Sequence, residues 1–224
     1  MDLGKLYAAR FPAEDLEGIE AVWRVLCGSF FQRYVRDGDA VLDLGAGSGV
    51  FLRNIRCGAR IAVEINPEAG RRMPPGTRLV ARPCWDLAGV EDGSVDVVFA
   101  SNIFEHLPDK EKLLLSLAEA RRVLAPAGRF LILQPNLAAL DGRFFDFLDH
   151  NLPLTDRSMT EALLMSDFRV ERCVPRFLPF TTRSAIPQAP WLVRLYLACP
   201  WAWPVMGRQM FIVAVKAAGE GRPS

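Results

Sequence analysis

The stretch Val41-Leu42-Asp43-Leu44-Gly45-Ala46-Gly47-Ser48-Gly49 decides how this chain is read. An apolar run carrying one Asp enters a loop with glycine at alternate positions. Glycine lets the backbone turn sharply and lets a ligand approach with no Cβ in the way. A second apolar run, Ile61-Ala62-Val63, ends on Glu64, 21 residues past Asp43. An acid at the end of the next parallel strand is placed to accept hydrogen bonds from a ribose diol. The two features together describe a nucleoside site at the carboxyl edge of a parallel sheet.

The glycine spacing decides which nucleoside. A dinucleotide fingerprint, Gly-x-Gly-x-x-Gly, sets a pyrophosphate on a helix N-terminus. Here the third glycine falls one residue early, at Gly49, and Val50 takes the place reserved for glycine. That counts against a nicotinamide oxidoreductase. A phosphate-cradling P-loop fails too, because no Gly-Lys-Ser/Thr follows. Gly-x-Gly-x-Gly after an Asp-bearing apolar strand resembles motif I of the class I S-adenosylmethionine-dependent methyltransferases. Their cofactor has a ribose and no phosphate.

The chain has 224 residues, half of them apolar and a quarter charged, with a formal charge of +1. That is enough for one domain with a large core. The charge gives no bulk attraction to nucleic acid. Met1-Asp2-Leu3-Gly4-Lys5 leads into mixed sequence without the apolar run of a signal peptide, and no stretch of about 18 apolar residues marks a membrane span. Cys27, Cys57, Cys84, Cys173 and Cys199 form no CxxC pair, and the histidines are only His106 and His150. No metal site is expected from that spacing, and the thiols read as small packing residues of a cytoplasmic protein.

Strand and helix alternate along the chain, which predicts a three-layer α/β sheet. Residues 14–35 carry Leu16, Ile19, Val22, Trp23, Leu26 and Phe30 at helical spacing. Strands are expected at Val41–Leu44, Ile61–Ile65, Thr77–Ala81, Val95–Ala100 and Arg129–Leu133, with helices after the glycine loop, from Asn66-Pro67, and from Pro108 in a first turn to Leu124. Thr155–Met165 reads as a helix, and Phe168–Val174 and Gln209–Val215 as strands. A stretch rich in Pro, Trp and Arg, Pro175–Arg208, separates these last two. The expected layout is one domain: an N-terminal helical cap over 1–36, a cofactor-binding core over 37–135, and an acceptor-side half over 136–224 containing the 175–208 insert.

Further stretches are similar to the same family, most closely to small bacterial enzymes of the methyltransferase type 11 kind. Val90-Glu91-Asp92-Gly93-Ser94-Val95-Asp96-Val97-Val98 resembles its fourth-strand signature, and Ser101-Asn102-Ile103-Phe104-Glu105-His106-Leu107 the loop that follows. Arg121-Arg122-Val123-Leu124-Ala125-Pro126-Ala127-Gly128-Arg129 resembles its helix-to-strand turn. The resemblance implies a Rossmann-like sheet, mostly parallel, with a reversed final hairpin, and S-adenosyl-L-methionine as cofactor. It implies that Gly45, Ala46, Gly47 and Gly49 pass close to the methionine part, and that Asp43 holds the loop and approaches the amino group. Glu64 would take the ribose hydroxyls and Ile65 would lie against the adenine. Where the family often has Gly-Asp after the third strand, this chain has Arg82-Pro83; Asp86, with Trp85 as a lid, is the substitute. Ser101 and Asn102 would lie at the methionine end.

Methyl transfer from a sulfonium is a direct displacement that rests on alignment. A hydroxyl acceptor gains from a general base. His150, beside Asp149, is the leading candidate and His106 the second. The acceptor is expected under the variable parts: Tyr7, Arg10 and Phe11, the loop 136–153, and the insert. In the insert, Leu192, Leu195, Tyr196 and Cys199 would form one helical face. The insert reads as an apolar cover, as a pocket wall for an apolar or sugar-bearing metabolite, or as a surface touching a membrane that presents lipid-linked glycans. A non-catalytic module that only binds the cofactor is a further reading.

Overall fold

In a computed structural model, residues 16–140, 142–179 and 189–217 are described. Seven strands form one sheet: β1 (Ala40–Leu44), β2 (Ala59–Val63), β3 (Arg78–Val80), β4 (Val95–Ser101), β5 (Leu124–Pro135), β6 (Phe168–Leu178) and β7 (Gln209–Lys216). Their order is β3-β2-β1-β4-β5-β7-β6. The strands from β3 to β5 pair in parallel, and β7 runs antiparallel to both β5 and β6. The mostly parallel sheet with a reversed final hairpin is therefore as the sequence indicated. β1 and β4 are buried nearly throughout, as strands covered on both faces must be.

Helices cover both faces. On one lie α3 (Lys110–Val123) and α4 (Asp156–Met165), packed on Leu42, Val98, Phe130 and Ile212. On the other lie α1 (Leu16–Ser29), α2 (Val50–Asn54), α5 (Pro190–Ala198) and α6 (Trp203–Met206), around Val41, Phe99, Leu131 and Phe211. This second face is aromatic: Phe51 stacks on Phe99 at 3.8 Å, and Phe30 meets Phe177 at 4.3 Å between centroids.

Local chemistry sets the boundaries, and some differ from expectation. The first helix stops at Ser29 and continues as a short 3-10 turn, Phe31–Tyr34. Pro67–Arg72 is 3-10 rather than a full helix. Pro108 stands outside α3, because Asp109 is the N-cap, its carboxylate accepting the Lys112 N–H at 2.8 Å. Thr155 caps α4 reciprocally with Ser158. β5 starts at Leu124, immediately after α3, so Ala127 lies within it at φ 61.

α5 buries Leu197 and packs Val193 and Tyr196 against the aromatic face, beside α1. The expected face was shifted by one position: Leu195 points outward, 55% exposed. Tyr7, Arg10 and Phe11, and residues 180–188 of the insert, lie outside the described residues. Among the described residues no helix is long and apolar enough to cross a membrane.

Candidate functional site

The glycine loop leaves β1 at its carboxyl end. The N–H groups of Gly45 and Ala46 both donate to the Val63 carbonyl, at 2.9 and 3.0 Å. Gly45, Gly47 and Gly49 all have positive φ, 76°, 52° and 74°, which disfavours any side chain. A Cβ on Gly45 would lie 2.7 Å from Ile103, and one on Gly49 2.5 Å from the Met73 sulfur. These two glycines permit close packing. A Cβ on Gly47 would meet no atom within 4 Å, so this residue faces open space.

Glu64 holds the loop in place. It is buried, and its two carboxylate oxygens accept the N–H groups of Gly47 and Asn66, each at 2.9 Å. The loop-holding role expected of Asp43 therefore falls to Glu64. Asp43 is 3% exposed and receives no hydrogen bond from the described residues. Burial first, and the Glu64 charge second, push its carboxyl up to about 8. A buried acid without donors is stabilised as an anion by an arriving cation. A cofactor ammonium would supply one.

The other residues expected at the cofactor are placed as follows. Ile65, next to Glu64, is 52% exposed, an apolar surface at the end of β2. Ser101 ends β4, and Asn102 adopts φ 50, a conformation Asn tolerates better than most residues. The Asn102 amide donates to the Ser101 hydroxyl at 3.1 Å. Trp85 and Asp86 have partners elsewhere. The Asp86 oxygens accept from Arg82 at 2.5 Å and from the Ala88 N–H at 3.0 Å. The Ala88 bond and then Arg82 hold its carboxyl below the usual range. Lys112 sits 5.7 Å above the Trp85 ring. Both residues line a groove of about 480 Å³ along the outer face of α3.

The two histidines come together, and His106 also touches Asp149, 43 residues further along the chain. Their ring centroids are 5.1 Å apart. His106 Nδ1 is 3.0 Å from the Asp149 carboxylate and 3.1 Å from its carbonyl oxygen. His150 Nδ1 is 2.9 Å from the Phe144 carbonyl, and its ring stacks on Phe147 at 4.8 Å. Beneath them Glu105, 1% exposed, accepts the Gln134 amide at 2.6 Å. Burial raises its carboxyl, against the lowering influence of His106. The Glu105 carbonyl accepts the N–H groups of Asn151 and Leu152, at 2.8 and 3.0 Å, which fastens the segment after β5 to the loop after β4.

The spacing of the histidines gave no hint of this meeting, and Glu105 was passed over. The adjacent Glu-His pair after the fourth strand was the available signal. Ligand atoms of Glu105, His106 and His150 lie within 4.8 Å of one another. Two imidazoles and a carboxylate are the donor types that can hold a divalent ion of the zinc class. The sequence reading had expected no such set.

Comparisons with known proteins agree with this geometry. Residues 42–132 match the model of a family described as "Methyltransferase domain". A curated relative, an uncharacterised 37.1 kDa protein in a transposon of Streptomyces fradiae, is 31% identical over 115 residues, 47% of this chain. The match spans about a third of that relative's length, 32%. The whole chain resembles a SAM-dependent methyltransferase from Archaeoglobus fulgidus (TM-score 0.65, 20% identity, covering 96% of this chain and 100% of that one). It also resembles a Haloferax volcanii complex between the Trm112 methyltransferase activator and a methyltransferase (TM-score 0.69, 20% identity, 95% and 97% covered). A geranyl diphosphate methyltransferase in complex with SAM is similar at TM-score 0.59 and 15% identity, with 91% and 87% covered. Residues 42–132 thus match the methyltransferase-domain family, and the fold of the whole chain is the one these S-adenosylmethionine-dependent methyltransferases share.

Proposed function

We propose that this protein transfers the methyl group of S-adenosylmethionine to a small-molecule acceptor, apolar or sugar-bearing, by direct displacement. Gly45, Ala46, Gly47 and Gly49 would hold the cofactor, with Asp43 taking its ammonium, Glu64 its ribose and Ile65 its adenine. Ser101 and Asn102 stand at its methionine end. Asp86 and Trp85, tied to Arg82 and to α3, are the least direct members of this set.

The acceptor side rests on one observation: His106, His150, Glu105 and Asp149 converge on the carboxyl edge, where open α/β sheets bind ligands. His106 has a carboxylate 3.0 Å behind its Nδ1, which orients the ring. His150 is boxed by Phe144 and Phe147. The geometry thus favours His106 over His150 as the base for a hydroxyl acceptor, reversing the order read from sequence. The formal charge of +1 suits a small acceptor better than a nucleic acid.

The test measures S-adenosylhomocysteine formation on a panel of hydroxylated acceptors. His106→Ala should lower turnover by roughly 10²–10⁴-fold at unchanged cofactor affinity. Full activity in both His106→Ala and His150→Ala would remove the base assignment. Tight cofactor binding without product on any acceptor would favour a binding module instead.

A further inference from the structure

The insert presents a surface that the fold does not use. Trp191, Leu195, Trp201 and Val205 are 65, 55, 79 and 72% exposed, and Met206 is 38% exposed, all within one short stretch. Trp191 and Leu195 are spaced four apart on α5 and so share one side of it, while Trp201 stands on a 3-10 turn (Pro200–Ala202) and Val205 on α6. The inward positions of the same segment are already satisfied. Leu197 and Trp203 are buried, the Tyr196 hydroxyl donates to the Phe177 carbonyl, and the Trp203 indole donates to the Tyr196 carbonyl at 3.0 Å. Packing against this protein's own core therefore does not account for the outward row.

The charge of the stretch is one-sided. From Pro175 to Arg208 there is no Asp or Glu, while Arg176, Arg194 and Arg208 are present. Arg194 lies between Trp191 and Leu195 on α5 and is exposed. Arg176 donates to the Pro204 carbonyl and Arg208 to that of Val205, so both guanidinium groups stand at the α6 end of the apolar row. The stretch leaves the sheet at Leu178 and returns at Gln209. These two residues pair with each other, and Gln209 also pairs with Pro135, at the carboxyl end of β5. The two ends of the stretch thus lie at the edge of the sheet that carries the glycine loop.

We propose that the outward face of the insert docks peripherally on an anionic lipid surface. Trp side chains sit well at the boundary between headgroups and acyl chains, and guanidinium groups without acidic neighbours in sequence attract anionic headgroups. A second copy of the chain or a protein partner would bury the same apolar row, but would need acidic residues to meet the arginines; phospholipid headgroups supply that charge at any orientation.

The experiment is flotation of the full chain with vesicles of phosphatidylglycerol and phosphatidylcholine, compared with phosphatidylcholine alone. The protein should float with the anionic vesicles and be released by high salt. The double variant W191A/W201A should lose roughly ten-fold or more in partitioning, from the apolar area withdrawn from the interface. Arg194→Glu should lose about ten-fold, and more at low salt. Calorimetric binding of S-adenosylmethionine should be unchanged in all variants, which separates lost docking from lost folding and from failure of the methyl-transfer reading. Wild-type protein that stays unbound with both vesicle types overturns the proposal. So does flotation unaltered by W191A/W201A, or a concentration-dependent dimer that the double variant abolishes without any vesicle binding.

Discussion

Asp43 offers the sharpest test of the cofactor site, through pH. Its carboxyl is buried at the end of β1 and pushed up to about 8. The groups facing it are the Glu64 carboxylate from β2 and the Cys27 thiol from α1, the latter itself pushed far up by burial. In the free protein at pH 6 Asp43 is therefore mostly protonated. A bound ammonium next to it favours the anion and lowers its pKa. Binding must then expel a proton whenever the pH lies below about 8. The sign follows: affinity rises with pH and levels off near that value. Each pKa unit is worth about 1.36 kcal/mol, so binding at pH 6 should be about 100-fold weaker than at the plateau. Calorimetry at pH 6.5 in two buffers of different ionisation enthalpy should count nearly one proton released. Asp43→Asn removes the titrating group, so its affinity should change far less over pH 6–8 and its proton release should vanish. The cofactor's own titration is common to both proteins and cancels in their ratio. A wild-type profile parallel to that of Asp43→Asn would refute the reasoning.

Gly47→Val should abolish cofactor binding while the protein remains folded, because the new side chain enters space that no protein atom fills; unchanged affinity by calorimetry would exclude the loop as the site. Glu64→Ala should weaken binding by ten-fold or more, since a charge-assisted hydrogen bond contributes roughly 1.5–3 kcal/mol and the Gly47 and Asn66 N–H groups lose their acceptor as well. A crystal structure with cofactor bound and Glu64 turned to solvent would contradict the ribose assignment. Ala127→Gly should raise unfolding free energy by about 0.5–1 kcal/mol, because Ala127 is held at φ 61 where an L side chain costs about 1–2 kcal/mol and glycine gives back part of that in chain entropy. Denaturant titration measures it, and a loss of stability would show that the alanine methyl packs favourably.

The cofactor half was legible in the chain because its determinants are local. Three alternate glycines permit the positive φ that other residues resist, and all three adopt it where the apolar strand runs out. The strand and helix alternation followed from apolar runs and turn residues, whereas the sense of the final hairpin was implied by the family resemblance. Boundaries slipped where a cap overrode the pattern, as at Asp109 beyond Pro108, or where a strand began without a turn, as at Leu124.

What the sequence could not provide was which side chains meet across the fold. Glu64 grips Gly47 because parallel pairing puts the ends of β1 and β2 side by side. Glu105 and His106 reach Asp149 and His150 only because the segment after β5 folds back and hydrogen-bonds the Glu105 carbonyl. The insert's buried face is Val193, Tyr196 and Leu197 because α1 and the aromatic layer lie on that side. Periodicity shows that a helix has a face, but the position of its neighbour decides which face is buried. Backbone preference is set within a few residues and can be read from them. A contact between distant side chains depends on register and loop path, which are fixed only when the whole sheet has formed.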